Sequence, residues 1–249
     1  MTPKQFTLAT TYFLQEGQEN MRECLKIAFQ VAKQQNISKV VIFTARGDGI
    51  RIALQEFCCL DEYKKIRPVA VTFPFGKKFT KADGTVLRVA IEEADETLFR
   101  ESGVPIIRAH MPFDPIGPLS YKQGGNLGQD LSLIGEALNM FGGSMSLCVQ
   151  AILMACDAGA VGLGEHVIAS TSDTAILAQG TCTRQMLEEL VIREILCKPA
   201  VLTVGRKEVA EKFPAQLELG SGASGTDEEP SSSKQLSEQA ESPLGKPKI

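Results

Sequence analysis

Residues 39–43, KVVIF, form an apolar run that passes through the turn TARGDG at 44–49 into a helix-like segment reaching about residue 58. A second run, IRPVAVTF at 66–73, follows directly. Short apolar runs bounded by turn residues suit strands buried on both faces. Two such strands separated by a helix pair in parallel, because the helix provides the crossover that parallel strands need. This unit limits the chain to folds with helices packed on a sheet.

The remaining chain continues the alternation. Residues 18–35 set Met21, Cys24, Leu25, Ala28, Phe29 and Ala32 at three- and four-residue spacings, the stripe of an amphipathic helix. A helix is expected over about 85–102, closed by Gly103, then a β-like VPIIRAH and a polar Gly- and Pro-rich loop over about 111–128. Residues 129–158 read as helical with a break at Gly142 and Gly143. The second half, SLCVQAILMACDAG, is apolar nearly all round and therefore central. HVIASTS and TAILAQG follow as strands joined at Ser172 and Asp173, then a helix at about 183–196 and a last strand, AVLTV. The connection at 172–173 is too short for a parallel crossover and must make an antiparallel hairpin. The expected architecture is α/β: three layers, α/β/α, with a mixed, mostly parallel sheet and one antiparallel hairpin.

Composition sets the boundaries. After about Gly205 the chain becomes rich in Ser, Gly, Glu, Gln and Pro, a mixture that cannot bury enough surface to offset its ordering entropy. An α/β domain is thus expected over 1–205 and a disordered tail over 206–249. A net charge of −4 and a pI near 5.4 speak against a polyanion-binding protein, so no nucleic acid partner is expected. No stretch approaches the roughly 20 apolar residues of a membrane helix. Seven cysteines, an odd number without paired metal spacings, suit reduced thiols used mainly for packing in a cytoplasmic protein.

Four loops qualify as ligand-contacting segments. In the first, Thr44, Arg46, Gly47, Asp48 and Gly49 lie between strand and helix, where backbone N–H groups without helical partners favour an anion. Thr44 adds a hydroxyl and Arg46 a forked guanidinium, whereas Asp48 could cap the same N–H groups and repel an anion. The second loop, after the next strand, offers Thr72, Gly76 and Lys77; it reads equally as a solvated basic loop. Ser172, Asp173 and Thr174 occupy the hairpin tip, where Asp and Thr also serve ordinary turn chemistry. The glycine-rich YKQGGNLGQD contributes Asn126, with a plain linker as the alternative.

No catalytic set assembles. His110 and His166 lie far apart without ligand-spaced neighbours, so no metal site is expected, and no GxSxG elbow is present. Cys182 in GTCTR is the thiol in a polar setting, without a visible base. The balance leans against an enzyme.

KVVIFTARGDGIRIAL resembles the first strand, phosphate loop and following helix of the pyruvate kinase C-terminal domain. YFLQEGQENM, VAVTFPFG, MFGGSMSLCVQAILMACDAG, EHVIASTSDTAILAQ and EILCKPAVL are similar to standalone archaeal and bacterial proteins that share that domain's fold, over about residues 10–204. The resemblance implies that α/β fold and a phosphate-bearing small ligand: a nucleotide, flavin mononucleotide or a sugar phosphate. It implies no pyruvate kinase activity, which belongs to a separate barrel domain. The chain departs from the family pattern at Met21, Arg46, Gly49, Phe73, Ser146 and Gln150, which implies an altered site. Two rival expectations follow. One is a self-associating homo-oligomeric module whose cleft is filled by Phe73 and Phe75; the other is an enzyme that borrows its chemistry from a bound cofactor.

Overall fold

A computed structural model describes residues 7–80, 84–114 and 129–200. Strand β2 (Lys39–Phe43) lies inside the sheet, as its continuous apolar sequence requires, with Val40, Val41 and Ile42 almost wholly buried. It pairs in parallel with β3 (Arg67–Thr72) on one side and β7 (His166–Ser170) on the other. Beyond β3 lies β6 (Ile106–Arg108), and beyond β7 come β8 (Ala175–Gln179), β9 (Val191–Pro199) and β1 (Thr11–Phe13). Among the described residues the sheet thus has seven strands in the order β1-β9-β8-β7-β2-β3-β6. The expected three-layer, mixed and mostly parallel architecture is present. The β7–β8 pair is antiparallel, and β8–β9 continues that antiparallel stretch.

Helices cover both faces. On one, α1 (Met21–Gln34) presents Cys24, Leu25, Ala28, Phe29 and Ala32, the stripe read from the sequence. It ends where Asn36 turns to a φ of 54° and the Ile37 N–H reaches the Ala32 carbonyl at 2.8 Å. On the same face lie α2 (Asp48–Ile52), continued by a π-helical turn at Ala53–Phe57, and α3 (Glu93–Glu101). The other face carries α4 (Gln129–Asn139) and α5 (Met145–Asp157). Every residue of α5 from Met145 to Cys156 is buried except Leu147, because sheet and α4 enclose it on opposite sides. No helix among the described residues is long and apolar enough to cross a membrane.

Two expectations are corrected, and one strand is added. Residues 85–102 are not one helix: Val86–Arg88 form β5, antiparallel to β4 (Lys78–Thr80) in a separate ribbon, and α3 starts only at Glu93. The acidic Glu93, Asp95 and Glu96 occupy that helix's first turn, where its dipole favours them. Residues 183–196 are helical only at Thr183–Gln185 and α6 (Met186–Glu189), and from Val191 the chain is β9. Val191, Ile192 and Ile195 are β-branched and β8 offers an edge, so pairing overrides the helix-like spacing before them. Strand β1 was absent from the sequence reading; it forms by pairing Thr11–Phe13 with Cys197–Pro199. Most of the expected AVLTV strand, the 206–249 tail and Asn126 lie outside the described residues.

The α1 face is anchored by Phe29, which stacks on Phe57 at 4.9 Å and meets Tyr63 edge-on at 5.8 Å. Phe29→Ala removes both contacts and leaves a cavity, at an expected cost of about 3–5 kcal/mol in urea unfolding.

Candidate functional site

All four parallel strands β2, β3, β6 and β7 end at one edge of the sheet, and the turn into β8 lies there too. The connection from β2 leads to β3 through α2 on one face, whereas the chain returns to β7 through α4 and α5 on the other. The gap between the ends of β2 and β7 is therefore a topological switch point, where α/β sheets leave a crevice. Three segments border it: Thr44–Gly49 after β2, Thr171–Thr174 after β7, and Gly17–Met21 leading into α1.

The first segment is built around a tight turn. The Thr44 N–H donates to the Val71 carbonyl at 2.8 Å, and the Thr44 hydroxyl accepts the Gly47 N–H at 2.9 Å. Gly47 has a φ of 97°, and an added Cβ would press on the Phe99 ring at 3.0 Å, so a side chain is excluded for two reasons. Asp48 does not cap the helix. Its carboxylate pairs with Arg51, which also reaches Asp95 of α3 at 3.5 Å. The objection that Asp48 would occupy the turn's N–H groups is thereby removed. Gly49 lets the helix start sit directly on β2, since a Cβ there would come within 2.8 Å of Ile42. Arg46 is exposed and makes no ion pair or hydrogen bond among the described residues.

In the turn after β7 lies a buried carboxylate. Asp173 is 4% exposed; its Oδ2 accepts the Gly17 N–H at 3.1 Å, and its Oδ1 accepts the hydroxyls of Thr174 at 3.0 Å and Ser144 at 3.4 Å. The Ser144 N–H donates in turn to the Thr174 hydroxyl at 3.0 Å. Asp173 thus ties the segment before α1 and the start of α5 to the β7–β8 turn. Gly143 permits this closeness: with a φ of 59°, its added Cβ would lie 2.3 Å from the Thr174 hydroxyl. Ser144 and Thr171 were not singled out in the sequence. A serine after a glycine pair and before a long apolar helix is the signal that marks Ser144.

Of the remaining candidates, Gly76, Lys77 and Thr72 lie at or just beyond the end of β3, and Ser172 lies within the Thr171–Thr174 turn. Gly76 is exposed at the β3 exit. Lys77 is held by Asp114 at 3.0 Å and lies over the Phe79 ring, so it braces the β6 exit. Ser172 is half-buried in the turn beside Asp173. Thr72 is 1% exposed and its hydroxyl has no hydrogen-bond partner among the described residues, which marks the end of β3 as a place with unspent polar capacity. Phe73 packs edge-on against Phe43 and Phe79, but Phe75 is 91% exposed and fills no cleft. Gln150 and Ser146 belong to the fold: Gln150 accepts the Phe113 N–H at 3.0 Å and donates to the Ser146 hydroxyl at 3.4 Å.

Thiol chemistry finds little support. Burial pushes the Cys24 and Cys148 thiols well above their ordinary value, with contact to Cys197 adding to the shift at Cys24. Burial also raises Cys156 to about 12 and Cys58 to about 11. Such groups stay protonated at neutral pH and are poor nucleophiles. Cys182 hydrogen-bonds the Gln185 amide oxygen rather than a base. His166 opens the central strand β7 and His110 follows the end of β6, at opposite ends of the parallel strands, and no acidic, histidine or cysteine cluster of three or more among the described residues could hold a metal.

A hollow of about 310 Å³ lies elsewhere, lined by Phe141, Met145 and residues 192–195 of β9. Its lining is mainly apolar and includes none of the loops above. No family model matches the chain.

Asp173→Ala leaves the Gly17 N–H and two hydroxyls without their acceptor, at an expected cost of about 1–3 kcal/mol in thermal unfolding. Faster hydrogen exchange at the Gly17 amide locates the loss.

Proposed function

We propose that the chain is a standalone pyruvate kinase C-terminal-like α/β domain that binds a phosphate-bearing small molecule in the crevice between β2 and β7. The supporting observation is the Thr44–Gly49 turn. Its helix start carries no side-chain cap, its acid is already paired to Arg51, and Arg46 beside it has no ion pair or hydrogen bond among the described residues. A phosphate placed there accepts backbone N–H bonds and a charge-assisted bond from Arg46. The Asp173 network shapes the opposite wall, its carboxylate engaged by the Gly17 N–H and by the hydroxyls of Ser144 and Thr174. The ligand class comprises nucleotides, flavin mononucleotide and sugar phosphates, and binding rather than catalysis is the function proposed.

Calorimetric titration with inorganic phosphate, adenosine monophosphate, flavin mononucleotide and ribose 5-phosphate tests this reading. Arg46→Ala is expected to weaken the best of these by about tenfold to a hundredfold, the worth of a charge-assisted hydrogen bond, with an unchanged melting temperature. Equal affinity in the variant would remove the turn from the site.

A further inference from the structure

Two buried thiols meet where α1 packs on β9. The Cys197 Sγ lies 3.5 Å from the Cys24 Sγ, and neither residue has exposed surface. Cys24 stands in the first turn of α1, and Cys197 sits in β9 between Ala175 of β8 and Thr11 of β1. The Ser170 hydroxyl is 3.4 Å from the Cys24 sulfur. Cys148 is turned elsewhere, its thiol donating to the Thr174 carbonyl at 3.4 Å. A disulfide has an S–S length of about 2.05 Å, so the two sulfurs need to close by about 1.5 Å, a distance that small χ1 rotations cover.

We propose that Cys24 and Cys197 form a latent disulfide, which a peroxide closes to staple α1 to β9. The neighbouring strand β1 is only three residues long and Tyr12 within it is 54% exposed, so its opening admits a small oxidant to Cys197 first. The Cys197 sulfur attacks a peroxide oxygen, the O–O bond breaks, and water leaves with the thiol proton, giving a sulfenic acid. The Cys24 sulfur then attacks that sulfur, the S–O bond breaks, and a second water carries off the Cys24 proton. Each peroxide takes two electrons from the sulfur pair. Burial, which keeps Cys24 protonated, slows this chemistry. Contact favours the second step, because the resolving sulfur is already beside its target. The bond links residues 173 positions apart in sequence, and closing so long a loop restricts the unfolded chain strongly. The proposal is independent of the ligand reading.

Oxidation of the folded full chain with excess hydrogen peroxide tests it, followed by alkylation, non-reducing digestion and peptide mass mapping. The Cys24 and Cys197 peptides are expected joined, in monomeric protein, and separated again by dithiothreitol. The oxidised wild type is expected to melt about 5 °C or more above its reduced form. Cys197→Ser, compared with its own reduced form so that any loss of basal stability cancels, is expected to show no rise. Exposed Cys59 reports that the oxidant acted. Cys24 and Cys197 recovered alkylated while Cys59 is oxidised, a bond from either to another cysteine, a joined pair without a rise in melting temperature, or an equal rise in Cys197→Ser would each overturn the proposal.

Discussion

The structure depends on the pairing of β2 with a parallel strand on each side. Buried on both faces, this strand can satisfy its backbone only by two complete ladders, and β3 and β7 supply them. The two connections run over opposite faces of the sheet, which puts α1, α2 and α3 on one side and α4 and α5 on the other. Thr44 follows β2 directly, and Asp173 lies in the turn that follows β7.

Polar groups at that edge divide into two kinds. Asp173, Thr174, Ser144, Gln150 and Ser146 are turned inward and bonded to one another or to backbone, so their work is to hold loops in place. Arg46 and the start of α2 are not so employed, and the Thr72 hydroxyl is buried without a partner. Burying polar groups without partners costs free energy, so an edge that keeps some capacity unspent while satisfying its neighbours is organised unlike the rest of the core. At the opposite edge, by contrast, Lys39 and Glu165 pair at 2.8 Å, and the glutamate also takes the Gly162 N–H. Burial alone would raise that carboxyl, but these bonds prevail and hold it below its usual value.

Much of this was legible in local patterns. The α1 stripe, the β2 and β3 runs, the break at Gly142 and Gly143 and the β7–β8 hairpin all follow from periods of 3.6 or 2 and from turn chemistry that acts within a few residues. The candidate loops were legible for the same reason, since each sits between two recognisable elements. What the pattern could not show was engagement. By spacing alone Asp48 is a cap that competes with an anion, but Arg51 engages it together with Asp95, and Lys77 reads as a solvated cation although Asp114 pairs with it.

By itself, then, the sequence determined the alternation of helices and strands, the burial of α5 and the turn positions, because these are set by side-chain spacing and backbone conformation along a short stretch. Tertiary structure alone decided that Val191–Pro199 is a strand, that Thr11–Phe13 pairs beside it, and that Gly17, Ser144 and Asp173 meet. Each of those outcomes depends on hydrogen bonds between residues 12 or more apart in sequence, whose partners exist only once the sheet has formed.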